Sequence, residues 1–176
     1  GYYVEDNGCV SINAGKFHRV QENKDIKICP VKGLGYENDC VQLGEATKPV
    51  QNMWFTDNTP KAEYDFYTFN AGNATVYVYA LPLFPINAQS DTRYGVMIDD
   101  GMVHWLTTNS KEYSSQWRVN VFRNSAISTI NLNIDKPGKH VLKLLCANPG
   151  MIIQKVVIDF GGMKRSYLGP KVTNIN

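Results

Sequence analysis

Few residues of this chain have the types and spacing that catalysis requires. Hydrolysis by paired carboxylates needs two acids that converge, and acyl transfer needs a nucleophile beside a base. The closest acidic pair, Asp99 and Asp100, precedes a glycine, and Asp-Asp-Gly is a routine turn sequence. His18, His104 and His140 are scattered, and the nucleophile-elbow, phosphate-loop and His-Glu-x-x-His motifs are absent from the sequence. We therefore predict that the isolated chain is not an enzyme and has no catalytic residues.

Aromatic residues point more clearly to binding. Sugar rings stack on exposed aromatic side chains, and neighbouring polar groups fix their orientation. The candidate ligand-binding residues are Trp105, Tyr113, Trp117 and Arg118, in or beside one polar stretch, and Trp54, in another. Tryptophans of β-sandwiches belong more often to the core, and we favour that interpretation for Trp54 and Trp117. Tyr113, flanked by charged and small polar residues, is expected to be exposed.

The sequence pattern indicates that β-strands position the candidate binding residues. Alternating apolar segments rich in β-branched and aromatic residues occur at 73–81, 93–98, 140–145 and 152–159. Strong turn sequences separate them at 70–73, 99–101, 136–139 and 148–150. This pattern predicts an all-β fold, a two-sheet antiparallel β-sandwich of jelly-roll type with minimal helix.

Two stretches do not fit the strand pattern. Residues 81–90 are interrupted by prolines, and residues 107–117 are polar with embedded aromatic side chains. Both predict long loops, where recognition residues are often placed. Short helical turns near 48–52 or 110–115 are the only helical structure that we expect.

Length and charge limit the alternatives. The 176 residues fit one domain spanning 1–176, and the formal net charge of +2 comes without a basic cluster, so nucleic acid is not an expected partner. No apolar run approaches the length of a membrane span. The sequence starts at Gly1 without a signal peptide, but an upstream leader could have been lost, so this start says little about location.

The four cysteines, Cys9, Cys29, Cys40 and Cys146, lack the spacing of a zinc site. Cys40 and Cys146 stand in apolar strand-like runs, where a thiol behaves as a small apolar group. We favour free, unreactive thiols. A Cys29–Cys40 disulfide across the turn at Gly33 is the alternative in an oxidising compartment.

Several sequence segments, taken in order, resemble those of a known module. The strand and tail Asp159-Phe-Gly-Gly-Met-Lys-Arg-Ser-Tyr-Leu-Gly-Pro are distinctive, and further matching segments follow one another in order. They lie at 8–14, 33–36, 63–69, 93–100, 117–124, 136–140, 148–159 and 166–170. Together they cover nearly the whole chain, and they resemble the C-terminal β-sandwich module of glycoside hydrolase family 115, the xylan α-glucuronidases.

The resemblance implies an accessory role. Enzymes of this family remove 4-O-methylglucuronic acid from xylan with acids on a barrel domain that this chain does not contain, so no catalytic residue carries over. It implies a carbohydrate-binding-like module that binds a plant cell-wall polysaccharide or oligosaccharide, including uronic-acid-bearing ones. The alternative is a structural or dimerisation module that packs against a catalytic domain or a second copy. The resemblance also implies a secreted, periplasmic or cell-surface protein.

A cofactor is not expected. Related sugar-binding sandwiches hold calcium with two glutamates of their first strand, but this chain has Asn13 and Gly15 at those positions. Asp159 could supply one oxygen, which does not make a calcium site alone. We therefore predict no metal site, with Asp159 as the one weak candidate ligand.

Overall fold

The computed structural model describes residues 1–85, 91–164 and 166–173 of the 176-residue chain. Strands and one short helix make up its regular structure. Their bounds are β1 Tyr3–Val4, β2 Cys9–Asn13, β3 Arg19–Gln21, β4 Ile28–Lys32, β5 Asp39–Leu43, β6 Lys61–Thr68, β7 Gly72–Ala80, β8 Arg93–Ile98, β9 His104–Thr107, α1 Ser115–Arg123, β10 Ala126–Ile134, β11 Gly138–Cys146 and β12 Met151–Asp159.

The strands form two sheets. In the first sheet the order is β1-β6-β11-β8-β9, and β3 also pairs with β6. In the second sheet the order is β10-β7-β12-β5-β4, and β2 also pairs with β12. The β1–β6 pair is parallel and all other described pairs are antiparallel. The predicted two-sheet, mainly antiparallel sandwich is confirmed.

The core lies between the sheets because strand residues alternate in direction. On β6, Tyr64 and Phe66 are fully buried, while Glu63, Asp65 and Tyr67 remain partly exposed. Tyr64 donates its hydroxyl hydrogen bond to the carbonyl of Ala14 at 2.7 Å, so the polar end of this core ring is paired. Burial raises the pKa of Tyr64, and its hydroxyl stays a donor.

The predicted turns join the predicted strands. Those at 70–73, 99–101, 136–139 and 148–150 lie at the junctions β6–β7, β8–β9, β10–β11 and β11–β12. At the acidic one, Asp99 has φ of 52° and Gly101 donates its N–H to the carbonyl of Ile98 at 3.0 Å. The interpretation of Asp-Asp-Gly as a turn is therefore confirmed.

The loop predicted at 107–117 is partly wrong. Thr107 ends β9, residues 108–114 are irregular, and α1 begins at Ser115. Ser114 caps the helix by accepting a hydrogen bond from the N–H of Trp117 at 3.1 Å, which satisfies one free donor of the first turn. The helix was missed because its nine residues bury mainly Asn120, so no apolar stripe marks it. Of the other predicted loop, residues 81–85 are irregular and 86–90 lie outside the described residues.

The chain after β12 runs back across the outer face of the second sheet. We call residues 160–164 and 166–173 the strap. Ser11 and Thr173 exchange backbone and side-chain hydrogen bonds near its end, and Lys155 reaches it from beneath. The Lys155 ammonium, 1% exposed, donates to Glu37 Oε1 at 2.5 Å and to the carbonyls of Pro170 at 2.8 Å and Leu168 at 3.3 Å. Strap and sheet enclose a small second core of Cys9, Tyr79 and Val157.

All four cysteines are free thiols. Cys29 is exposed on β4, whereas Cys40 is buried on β5 and donates to the carbonyl of Leu34 at 3.2 Å. Burial raises the pKa of Cys40 to about 11 and that of Cys146 to about 12, so neither forms a thiolate near neutral pH. The Cys29–Cys40 disulfide that the sequence left open is not formed.

Replacing Lys155 with Met should destabilise the domain. The change keeps an apolar stem but leaves the Glu37 carboxylate and two strap carbonyls without their donor, a loss of about 2–3 kcal/mol. Urea unfolding would measure it, with Lys32→Met on the exposed edge strand β4 as control and an expected change below about 0.5 kcal/mol. Equal losses in both variants would show that the ammonium does not hold the strap.

Candidate functional site

Helix α1 brings two of the predicted aromatic residues together. Tyr113 precedes the cap, has φ of 61° and is 68% exposed. Its ring centroid lies 5.2 Å from that of the half-buried Trp117, with the planes tilted by 52°. Phe84, from the segment after β7, lies 6.5 Å from Trp117. We call Phe84, Tyr113 and Trp117 the aromatic platform.

A cavity of about 220 Å³ opens beside the platform. Phe84, Trp117 and Val121 contribute to its apolar lining. Its hydroxyl and amide lining comes from Thr108, Asn109, Ser110, Asn120 and Asn124. Aromatic rings beside hydroxyl and amide groups are the combination with which proteins stack and orient a sugar ring.

Two buried polar atoms at this cavity have no hydrogen-bond partner among the described residues. They are Nε1 of Trp117 and Oγ1 of Thr108. An unpaired buried donor or hydroxyl costs about 1–3 kcal/mol. Both atoms are shielded from solvent, so a water or ligand oxygen would recover part of that cost only after the neighbouring side chains move.

The other predicted binding residues do not line the cavity beside the platform. Trp105 is on β9, where its ring packs over Gly95: a Cβ on Gly95 would lie 2.8 Å from Cζ3 of the indole. Trp54 is 79% exposed between β5 and β6, so the core interpretation of this residue is wrong. Arg118 is exposed on α1 and forms no ion pair within the part of the chain that the structure describes.

A second concave surface against α1 was not indicated by the sequence. We call it the tyrosine groove, and its volume is about 510 Å³. Strands β7 and β10 form the floor, helix α1 one wall and the strap the other. The lining residues are Tyr77, Tyr79, Ile127 and Thr129, then Gln116, Asn120 and Arg123, then Met163, Ser166, Tyr167 and Gly169.

Three side chains fix the end of α1 above this groove. Tyr167 donates to the carbonyl of Phe122 at 2.8 Å, Tyr36 donates to the carbonyl of Arg123, and Gln154 Nε2 donates to the carbonyl of Asn124 at 3.0 Å. These carbonyls are the unpaired acceptors that a helix leaves at its C-terminus. The alternation of Tyr77 and Tyr79 along β7 indicates that they share one face of the strand. That the strap and helix α1 border this face is evident only from the fold.

The acidic turn is occupied by structural hydrogen bonds. Asp99 Oδ1 accepts the N–H of Val141 at 2.8 Å, and its Oδ2 lies 2.8 Å from Nδ1 of the buried His140. The other ring nitrogen of His140 lies 2.9 Å from the carbonyl of Lys136. Asp100 is fully exposed and contacts Lys143. Asp99 therefore joins the β8–β9 and β10–β11 turns, and Asp100 points to solvent.

The residues that a calcium site would use serve the fold through their own hydrogen bonds. Asn13 Oδ1 accepts the N–H of Gly15 at 2.9 Å, and Asp159 Oδ1 accepts the N–H groups of Gly161 and Met163. Asn13 pairs across the sheet with Lys155, whose positive charge opposes a cation nearby. No cluster of three metal-ligating residues occurs in the described residues.

Within residues 1–85, 91–164 and 166–173, no helix has both the length and the apolar character that crossing a membrane would need.

Comparison with solved structures identifies similar folds. A GH115 4-O-methyl-alpha-glucuronidase, BtGH115A, with specificity for decorated arabinogalactans, superimposes with a TM-score of 0.61 at 21% identity, over 81% of this chain and 17% of that one. The Podospora anserina GH26-CBM35 beta-(1,4)-mannanase gives 0.53 at 9% identity, over 88% and 28%. CBM35 from Paenibacillus barcinonensis gives 0.51 at 10% identity, over 85% and 97%. These likenesses establish the fold.

Sequence comparison establishes the family. No curated protein sequence matches the chain. This chain spans 17% of the length of the glucuronidase, so it corresponds to one part of such an enzyme. The sequence profile of the glycosyl hydrolase family 115 C-terminal domain matches residues 2–172. The chain therefore belongs to the glycosyl hydrolase family 115 C-terminal domain family.

Proposed function

We propose that this domain binds carbohydrate and is a non-catalytic accessory module of a glycan-degrading enzyme. The observation that carries the proposal is the aromatic platform: the exposed ring of Tyr113 tilts against Trp117, and Trp117 lines a cavity that hydroxyl and amide groups also line. Because one stacked ring contributes only about 0.5–1.5 kcal/mol beyond its buried area, the dissociation constant should be nearer millimolar than nanomolar.

The proposed ligand is a plant cell-wall polysaccharide that bears uronic acid side groups. Family membership suggests this class, and xylan is the first candidate because the sequence resembles the module of xylan α-glucuronidases. The structurally similar glucuronidase is described as specific for decorated arabinogalactans, which makes arabinogalactan the second candidate. We infer a secreted, periplasmic or cell-surface location, because polymers of this size are degraded outside the cytoplasm.

A packing role is the second candidate function, and helix α1 favours it. The helix buries the polar Asn120 and exposes Val119, Val121 and Phe122, the last with 82% of its surface accessible. Surface helices ordinarily bury their apolar face, so this arrangement leaves apolar surface for a partner. The proposed partner is the catalytic part of the enzyme or a second copy of this domain.

Replacing Tyr113 with Ala should weaken binding of xylohexaose by about tenfold, because the platform loses its exposed ring. Isothermal titration would measure the change, and the melting temperature should stay constant because Tyr113 is mostly exposed. Phe69→Ala is the matched control, a 63% exposed ring at the opposite end of β7. Equal weakening in the two variants, or unchanged binding in Tyr113→Ala, would contradict the platform.

The purified domain should release no sugar from aryl glycosides or from aldouronic acids. Asp99 and Asp100 both line a concave surface of about 590 Å³. Asp99 is held by His140 and the N–H of Val141, however, and Asp100 contacts Lys143, so neither carboxylate is free to act as the acid or nucleophile that glycoside hydrolysis requires. Product analysis by chromatography would test this. Turnover that is lost in Asp99→Asn or Asp100→Asn would overturn the non-catalytic proposal.

If α1 packs on a partner, Phe122→Ser should lower the melting temperature of the longer enzyme but not of the isolated domain. The reason is that Phe122 is 82% exposed in the domain alone, where its loss removes little burial. Differential scanning calorimetry of both proteins would measure it, with Phe69→Ser as control. The same shift in both proteins would remove the case for packing through α1.

A further inference from the structure

We propose that the tyrosine groove is a second ligand site and that it takes an anionic pyranose, a sugar ring that carries a carboxylate or sulfate group. Its volume of about 510 Å³ lies within the range of small-molecule sites, which extends from about 300 to 1,000 Å³. Among the described residues, it shares Asn120 alone with the cavity beside the platform. Each site can therefore bind while the other does not.

Aromatic surface and hydrogen-bonding groups meet in the groove. Tyr77 of the floor is partly exposed and Tyr167 of the strap is 57% exposed, so ring surface from both is accessible. Gln116, Thr129 and Ser166 line the same space with amide and hydroxyl groups. A flat ring edged by hydroxyls, as a pyranose is, can stack on such surface and hydrogen-bond at its rim.

Charge decides which pyranose fits. Arg123 is the only charged side chain among the described lining residues, and it forms no ion pair within the described residues. The planar guanidinium presents a fork of donors that matches the two oxygens of a carboxylate or sulfate. A neutral sugar would leave this cation without a counter-charge, whereas an anionic one would supply it.

The helix end does not cancel that preference. A helix C-terminus carries partial negative charge, which would repel an anion. Here the carbonyls of Phe122, Arg123 and Asn124 already accept hydrogen bonds from Tyr167, Tyr36 and Gln154. The nearby Lys155 and Glu37 form an ion pair under the strap, so they contribute no net charge. The guanidinium of Arg123 is therefore the one charge among the described residues that line the groove.

Titration followed by nuclear magnetic resonance would test the site. The probes are methyl glucuronide, methyl glucoside and glucose 6-sulfate, which share the pyranose ring and differ in the group at the sixth carbon; the last also lacks the methyl group at the anomeric oxygen. We expect methyl glucuronide to shift the Arg123 Nε–H and Thr129 amide signals and to bind about tenfold more tightly than methyl glucoside, as one added charged hydrogen-bonding pair provides. Raising the salt concentration should narrow this difference.

Variants of the two helix arginines provide the control. Arg123→Gln should reduce glucuronide affinity about tenfold and Arg123→Lys by less, because Lys keeps the charge and loses the fork. Arg118→Gln, on the same helix but outside the groove, should leave it unchanged. Tight binding of glucose 6-sulfate would mark sulfated sugars as ligands, and its failure would confine the site to uronates.

Two results would overturn the proposal: equal affinity for glucuronide and glucoside, or equal effects of Arg123→Gln and Arg118→Gln. Melting temperatures of the variants distinguish lost binding from lost folding. Because Tyr113→Ala leaves the groove intact, glucuronide binding that persists in that variant separates this site from the proposed platform. Failure of one site thus leaves the test of the other unaffected.

Discussion

Two buried polar residues of β12 fix the surroundings of both candidate sites. Gln154, at the register shift beside Ile153, accepts the N–H of Tyr36 and donates to the carbonyl of Asn124, which ties the β4–β5 loop to the end of α1. Lys155, the next residue, binds Glu37 and the strap. A buried amide or ammonium left unpaired costs several kcal/mol. These two side chains therefore determine where the helix and the strap lie, and with them the walls of the groove.

Much of this fold could be predicted from local physics. Turn sequences such as Asn148-Pro-Gly permit few backbone conformations, and strands such as β12 must bury their β-branched residues. Turns and strands can therefore be recognised from the types and order of their residues. The burial of Lys155 could not be predicted in this way. A lysine in a strand pattern indicates a solvent-exposed position, and Lys155 is buried because the strap returns over it. When a segment distant in sequence covers the outer face of a sheet, the covered strand does not show this burial in its pattern of apolar and polar residues.

The sequence predicted only the part of the candidate site whose residues are neighbours in the chain. Tyr113 and Trp117 are four residues apart in the chain, and the start of a short helix between them keeps their rings in contact. Trp54 was misjudged because an isolated tryptophan gives no information about which surface its loop covers, and tryptophans are usually buried. The tyrosine groove combines strand, helix and strap residues that are distant in sequence. Spacing alone could not have brought Tyr77, Arg123 and Tyr167 together.

The distribution of paired and unpaired charge supports the proposal that this domain binds a glycan and does not hydrolyse it. Several carboxylates are engaged in structural roles: Glu37 with Lys155, Asp99 with His140, and Asp65 with Arg19, whose hydrogen bonds hold the pKa of Asp65 below its ordinary value. Acids used in this way are not free to shuttle protons. Arg118 and Arg123, by contrast, have no carboxylate partner among the described residues, and both project from α1. Two cations without a carboxylate partner in the described part of the chain, beside aromatic rings and amides, support the proposed binding of acidic, hydroxyl-rich ligands such as uronic-acid-bearing glycans.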